Sequence, residues 1–177
     1  MKSGRGCLLV LVSVFAISAL MVAQQEPVLS PPGEASVQFA DGKSITVKYS
    51  RPSMRGRKIF GDLVPYGQVW RTGANSATSF TTDTNLEVGG TAVPAGSYTL
   101  YTIPGESSWQ LVINKQTGQW GTKYDQSQDL ARIPMKVGKL PSAVETFTIS
   151  FDKSGARGAA LKLEWETTLA SVAIIER

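Results

Sequence analysis

VPAGSYTLYTIPGESSWQLVI, residues 93 to 113, sets two runs of alternating hydrophobes on either side of a Pro-Gly break. Tyr98, Leu100 and Ile103 precede Pro104-Gly105-Glu106-Ser107, and Trp109, Leu111 and Ile113 follow it. A period of two puts one face of each run against a core, and the break reverses the chain, so the two runs read as paired antiparallel strands. Val93-Pro94-Ala95-Gly96 supplies the turn before the first of them.

The same pattern extends both ways. Towards the amino end, Val37 and Phe39, then Ile45, Val47 and Tyr49, flank Asp41-Gly42, a pair that favours a two-residue hairpin turn with positive φ. Leu86 and Val88 run into Gly89-Gly90, where a further reversal is expected. Towards the carboxyl end, Phe147, Ile149 and Phe151 alternate with Thr and Ser, and Leu161, Leu163 and Trp165 with Lys162 and Glu164, giving each strand one wet and one dry face. Val172 to Ile175 reads as the last strand, and short helical or turn segments are expected near residues 126–131 and 62–66. Some eight or nine short strands with Gly and Pro turns predict an all-β, antiparallel β-sandwich or flattened barrel with one long irregular segment. No internal repeat is visible.

Composition removes whole classes of chemistry. The 177 residues include no histidine and one cysteine, Cys7. Lys2 and Arg5 precede an apolar run from Cys7 to about Val22, followed by Ala23 and the polar Gln24-Gln25-Glu26, which is the order of a secretory signal peptide cleaved after residue 23. The run is shorter than the roughly 20 apolar residues of a spanning helix, so cleavage is favoured over an uncleaved anchor, and no stable membrane span is expected after it. A linker over residues 24–34 and a single domain over 35–177 are expected to follow, in the periplasm or outside the cell. After residue 23 there is neither cysteine nor histidine, so disulfides, thiol nucleophiles, Ser-His-Asp triads and the usual zinc sites are excluded there. No cofactor or metal is implied. Loss of Lys2 and Arg5 leaves 16 of the 18 Lys and Arg against 14 Asp and Glu, too even a balance to imply a nucleic-acid partner.

The candidate site is the break in the strand pattern. YSRPSMRGRKIFGDLVPYGQVWRTGANSA, residues 49 to 77, carries Arg51, Arg55, Arg57, Lys58 and Arg71 among Tyr66, Trp70 and four glycines. Connections in compact domains have a median of about four to six residues, so a segment this long binds something or wraps part of the fold. Arg51, Arg55, Arg57 and Arg71 are candidates to hold an anion through planar, two-pronged hydrogen bonds. Tyr66, Trp70 and Asn75 are candidates to shape and orient the pocket. The competing reading has these arginines pairing with Asp62, Glu106, Asp125 or Asp129 to pin the loop. Trp109 is expected in the core, Trp120 and Tyr124 at the surface, and Trp70 in either place. Asn75 and Asn114 also fit simple turn roles. Paired carboxylates can cleave a glycosidic bond without histidine. Here Glu164 and Glu166 read more simply as a solvated face, and Asp125 and Asp129 lack the ligand density of a calcium loop.

The wording of residues 49 to 78, of VGGTAVPAGSYTLYTIPGESSWQLVINK, of WGTKYDQSQDLARIPM and of LKLEW resembles the DUF2911 family of exported bacterial proteins. The resemblance runs from about Ser36 to Ile175. It implies an export signal and one β-rich domain, and brings no activity with it. Three functions are therefore expected of different classes: non-catalytic binding of a small anionic or carbohydrate-like ligand or of a cell-envelope partner through residues 51–75; an envelope structural or assembly domain with no small-molecule site; and a carboxylate-dependent hydrolase using Asp62 or Asp125.

Overall fold

A computed structural model describes residues 29–177, and the expected signal segment lies outside that range. The described residues form nine strands in one antiparallel sheet that does not close into a barrel. In chain order they are β1 (Pro32–Gln38), β2 (Ser44–Ser50), β3 (Thr78–Thr82), β4 (Leu86–Val88), β5 (Thr91–Val93), β6 (Gly96–Ile103), β7 (Trp109–Asn114), β8 (Asp129–Lys153) and β9 (Gly158–Glu176). Their spatial order is β1-β2-β3-β6-β7-β8-β9-β4-β5.

The sheet folds over on itself along β8 and β9. The first part of β8 pairs with β7 through Asp129 to Met135, whereas its later part pairs with β9. Within that later part the β8–β9 register shifts twice, at Lys139/Val144 and Val144/Thr148, and Glu166 opposite Val144 has φ 52°. Such bulges bend a strand and increase its twist without ending it. Dry faces consequently meet: Tyr49 of β2 sets its ring edge-on to Phe147 of β8 at 5.7 Å, and its hydroxyl accepts from the Ile149 amide at 2.8 Å. Ile45, Val47, Phe80, Leu100, Leu111 and Ile113 of one half share a single core with Phe147, Leu161, Leu163 and Trp165 of the other.

Three local expectations change. The runs ending at Trp165 and beginning at Val172 are one 19-residue strand, because the bulge at Glu166 turns the chain without a Gly or Pro. β1 begins at Pro32, three residues before the expected boundary; a proline is tolerated there because β1 is an edge strand and Pro32 its first residue. The Asp41-Gly42 hairpin has a three-residue loop. The Phe39 and Lys43 backbones bond at 2.8 Å, the Asp41 carboxylate takes the Lys43 amide, and Gly42 alone adopts positive φ. Gly89-Gly90 does form a two-residue turn with positive φ at both positions. The segment at 126–128 is a single 3-10 turn, while residues 61–67 form turns with no helix.

Candidate functional site

The long segment after β2 crosses from one half of the folded sheet to the other. It leaves β2 at Ser50 and runs beside β8, where the Phe147 amide bonds to Pro52 O at 2.8 Å and the Met54 amide to Glu145 O at 2.8 Å. Two carboxylates then hold its backbone. Glu145 Oε1 accepts from the Arg55 amide at 2.8 Å, and the Glu166 oxygens accept from the amides of Ile59 and Phe60 at 2.8 and 3.1 Å. Glu166 is thus an anchor for the segment and not part of a solvated face with Glu164. Further on, Trp70 pairs with Thr102 of β6 through bonds of 2.7 and 2.9 Å, in line with β3, whose first pair is Thr78 with Leu100.

The crossing adds to the core. Ile59, Phe60 and Val64 are buried, and Phe60 meets Trp109 edge-on at 4.8 Å. The Trp70 indole stacks on Trp165 at 5.8 Å with 18° between planes, and Phe147 meets it edge-on at 5.0 Å. Trp109 is buried and Trp120 half-exposed, as the alternation and the irregular WGTKY region suggest. Arg55, Thr72 and Asn75 have φ between 51° and 58°. For a β-branched residue such as Thr72 that geometry is an outlier. Its hydroxyl holds it by donating towards Thr102 Oγ1 at 3.1 Å, and its carbonyl takes the Thr78 hydroxyl at 2.8 Å.

Under this crossing lies a cleft of about 720 Å³. Arg55, Arg57 and Arg71 line it, together with the stacked pair Trp70 and Trp165 and the edge-on pair Tyr101 and Tyr124. Among the described residues that line it there is no Asp or Glu. Arg55 Nη2 donates to Leu29 O at 3.1 Å, and Arg57 donates to Met54 O and Ser53 O at 2.9 and 2.8 Å. These bonds to neutral carbonyls orient both guanidinium groups and leave their charge uncompensated. Among the described residues no hydrogen bond or ion pair engages the Arg71 guanidinium. Its stem lies against Gly121, where a Cβ would fall 2.6 Å from Arg71 Cδ and 2.8 Å from Asn75 O, so glycine is required for the close approach.

Of the seven residues singled out from the sequence, four line this cleft: Arg55, Arg57, Trp70 and Arg71. The other three lie elsewhere. Arg51, still beside the end of β2, donates to Phe147 O at 3.3 Å and Thr148 Oγ1 at 3.0 Å and so ties the chain to β8. Tyr66 lies over Gly61, where a Cβ would meet its ring at 2.7 Å. Asn75 occupies a left-handed turn and offers its carbonyl to the Gly121 amide at 3.0 Å. The arginines do not pair with Asp62, Glu106, Asp125 or Asp129; carboxylates from β8 and β9 do the pinning, and they grip backbone amides.

Tyr101 and Tyr124 were not singled out as site residues together, since they are far apart in sequence and meet edge-on at 4.9 Å only after folding. The Tyr124 hydroxyl donates to Asp129 Oδ2 at 2.5 Å and accepts from Arg132 Nη2 at 2.9 Å. Burial, then the bond to that carboxylate, pushes the phenol up to about 12. Asn114, fully buried, donates to Asp129 Oδ1 at 2.9 Å, so both oxygens of this carboxylate are occupied. Asp62 is exposed and outside the cleft. Asp125 caps the 3-10 turn, and hydrogen bonds from the Ser127 hydroxyl and amide hold it below the usual carboxylate range, opposite to the shift a general acid needs. No group of residues able to hold a metal ion occurs among the described residues.

The fold and site together define a β-protein whose folded sheet is bridged by an arginine-bearing crossing over a cleft. Residues 30–174 match the model of the DUF2911 family, described as proteins of unknown function, and the chain belongs to that family. No curated protein and no solved structure matches it. Among the described residues no helix is long and apolar enough to cross a membrane.

Proposed function

We propose that this domain is a non-catalytic binding module of an exported, periplasmic or extracellular protein, and that it holds a small anionic or carbohydrate-like ligand, or an envelope partner, in the cleft beneath residues 51–75. One observation carries the reading: three arginines line a single concavity that no carboxylate of the described residues lines. A purely structural loop would be expected to neutralise such a cluster, because like charges held together oppose compaction. Here Arg55 and Arg57 are steadied by carbonyls and Arg71 by apolar contact, which leaves three positive groups for an anion. Arg71 and Trp70, consecutive in sequence, supply a charged donor and a flat apolar wall.

The reading as a structural or assembly domain has its own support, since Arg51 and the carboxylates of Glu145 and Glu166 tie the crossing to β8 and β9. Arg71→Ala separates the two. The binding reading expects its melting temperature without ligand to equal or exceed that of the wild type. In a thermal-shift screen of organic acids, sugar acids, neutral sugars and phosphate esters, it expects stabilisation of the wild type and not of the variant. Loss of melting temperature in the unliganded variant, together with no ligand-induced shift in the wild type, would establish the structural reading instead.

A further inference from the structure

Resting on the reading of the cleft as an anion site, we infer that its ligand is an amphipathic anion, a carboxylate, sulfate or phosphate head joined to an apolar body, and not a sugar. The distribution of exposed apolar side chains carries this. Large hydrophobic residues exposed among the described residues are Leu29, Leu63, Tyr66, Val69, Trp120 and Ile175. Leu29, Leu63 and Val69 line the cleft itself, whereas Tyr66, Trp120 and Ile175 are not among its lining residues. Single exposed hydrophobes scattered over a surface need no explanation, whereas their collection around one concavity marks a binding site.

The polar inventory points the same way. Guanidinium groups only donate, and they complement a head that only accepts. A sugar presents hydroxyls that also donate, and sites that hold sugars meet those protons with carboxylate or amide oxygens. Among the described residues this cleft offers a single side-chain amide, Gln68, beside the hydroxyls of Ser30, Ser53, Thr122 and the two tyrosines, and no carboxylate. The Tyr124 hydroxyl already donates to Asp129 and accepts from Arg132. Leu63 and Val69 thus form an apolar rim and the three arginines a cationic group, which fits a ligand with one end of each kind.

Isothermal titration of the domain with a series of straight-chain carboxylates, kept below their micelle concentrations, tests the inference against inorganic sulfate, glucuronate and alkanols of matched length. The affinity should rise about three- to fourfold per methylene until the rim is covered, the increment that burial of one methylene supplies. Leu63→Ser and Val69→Ser should flatten this dependence on chain length while leaving the weak binding of sulfate unchanged. Arg71→Gln should weaken every carboxylate and leave the alkanols where they were. Glucuronate or sulfate binding as tightly as the longest carboxylate would overturn the amphipathic ligand while preserving the anion site. Alkanols equal to the carboxylates, or Arg71→Gln without effect on any anion, would overturn the anion site itself.

Discussion

Tyr124 shows how one side chain is committed by its neighbours. Its hydroxyl proton sits between the phenol oxygen and Asp129 Oδ2, so ionisation would place two anions 2.5 Å apart in a part-buried site, with Arg132 compensating only in part. The folded state therefore prefers the neutral phenol. An unfolded tyrosine titrates near 10 and this one near 12. Because the folded value is raised, its contribution to stability is complete below about pH 10 and disappears as the pH climbs towards 12. Tyrosinate absorbance should reveal a component titrating above the ordinary range, and Tyr124→Phe should remove it. Burial raises Tyr98 and Tyr101 as well, so the difference between wild type and variant is the quantity to read. A wild-type-minus-variant difference that titrates in the ordinary tyrosine range would mean that neither the burial of Tyr124 nor its bond to Asp129 persists in solution.

At the scale of elements, the two glycines of one hairpin turn respond differently to the same substitution. In the β4–β5 turn a Cβ on Gly89 would fall 2.5 Å from Ile133 Cγ2 and 3.0 Å from Val172 Cγ2, whereas one on Gly90 meets nothing within 4 Å. Both have positive φ, so alanine at either costs about 1–2 kcal/mol in backbone strain. Gly89→Ala adds overpacking, typically a further 1–3 kcal/mol. Urea unfolding should consequently rank Gly89→Ala well below Gly90→Ala, with Gly90→Asn close to wild type because asparagine tolerates the left-handed region. Equal losses at the two positions would contradict this packing of the turn against β8 and β9. Turns of this kind were legible from the sequence because glycine pairs announce them. The bend at Glu166 was not, since a glutamate carries no mark of positive φ, and this is why two long bent strands read as several short ones. The site was half legible for a related reason. Clustered arginines reveal where charge is concentrated along the chain, but Arg51 faces β8 and Arg71 faces Gly121 through contacts made with residues 50 or more positions away.

At the scale of the molecule, the crossing joins the two halves of an unclosed sheet, and the cleft exists only while that joint holds. Its attachment depends on few groups. Ile59 and Phe60 contribute buried side chains to the common core, yet their amides find no strand partner and are satisfied by the Glu166 carboxylate from the bulge of β9. The same bulge that folds the sheet therefore also aims the anchor of the crossing. Glu166→Ala strands two amides beside an apolar core, and unsatisfied donors of this kind cost about 1–3 kcal/mol. The loss should not be spread evenly. Hydrogen exchange should accelerate first at Ile59 and Phe60 and then along residues 54–70, before the Val47, Leu100 and Ile113 amides of the central strands change. Glu166→Gln, which keeps one good acceptor, should lie between wild type and alanine in urea midpoint. If exchange in Glu166→Ala instead rises uniformly across β2, β6 and β7, the crossing and the sheet are one cooperative unit. If it does not rise at Ile59 and Phe60 at all, Glu166 is not what holds the cleft's roof in place.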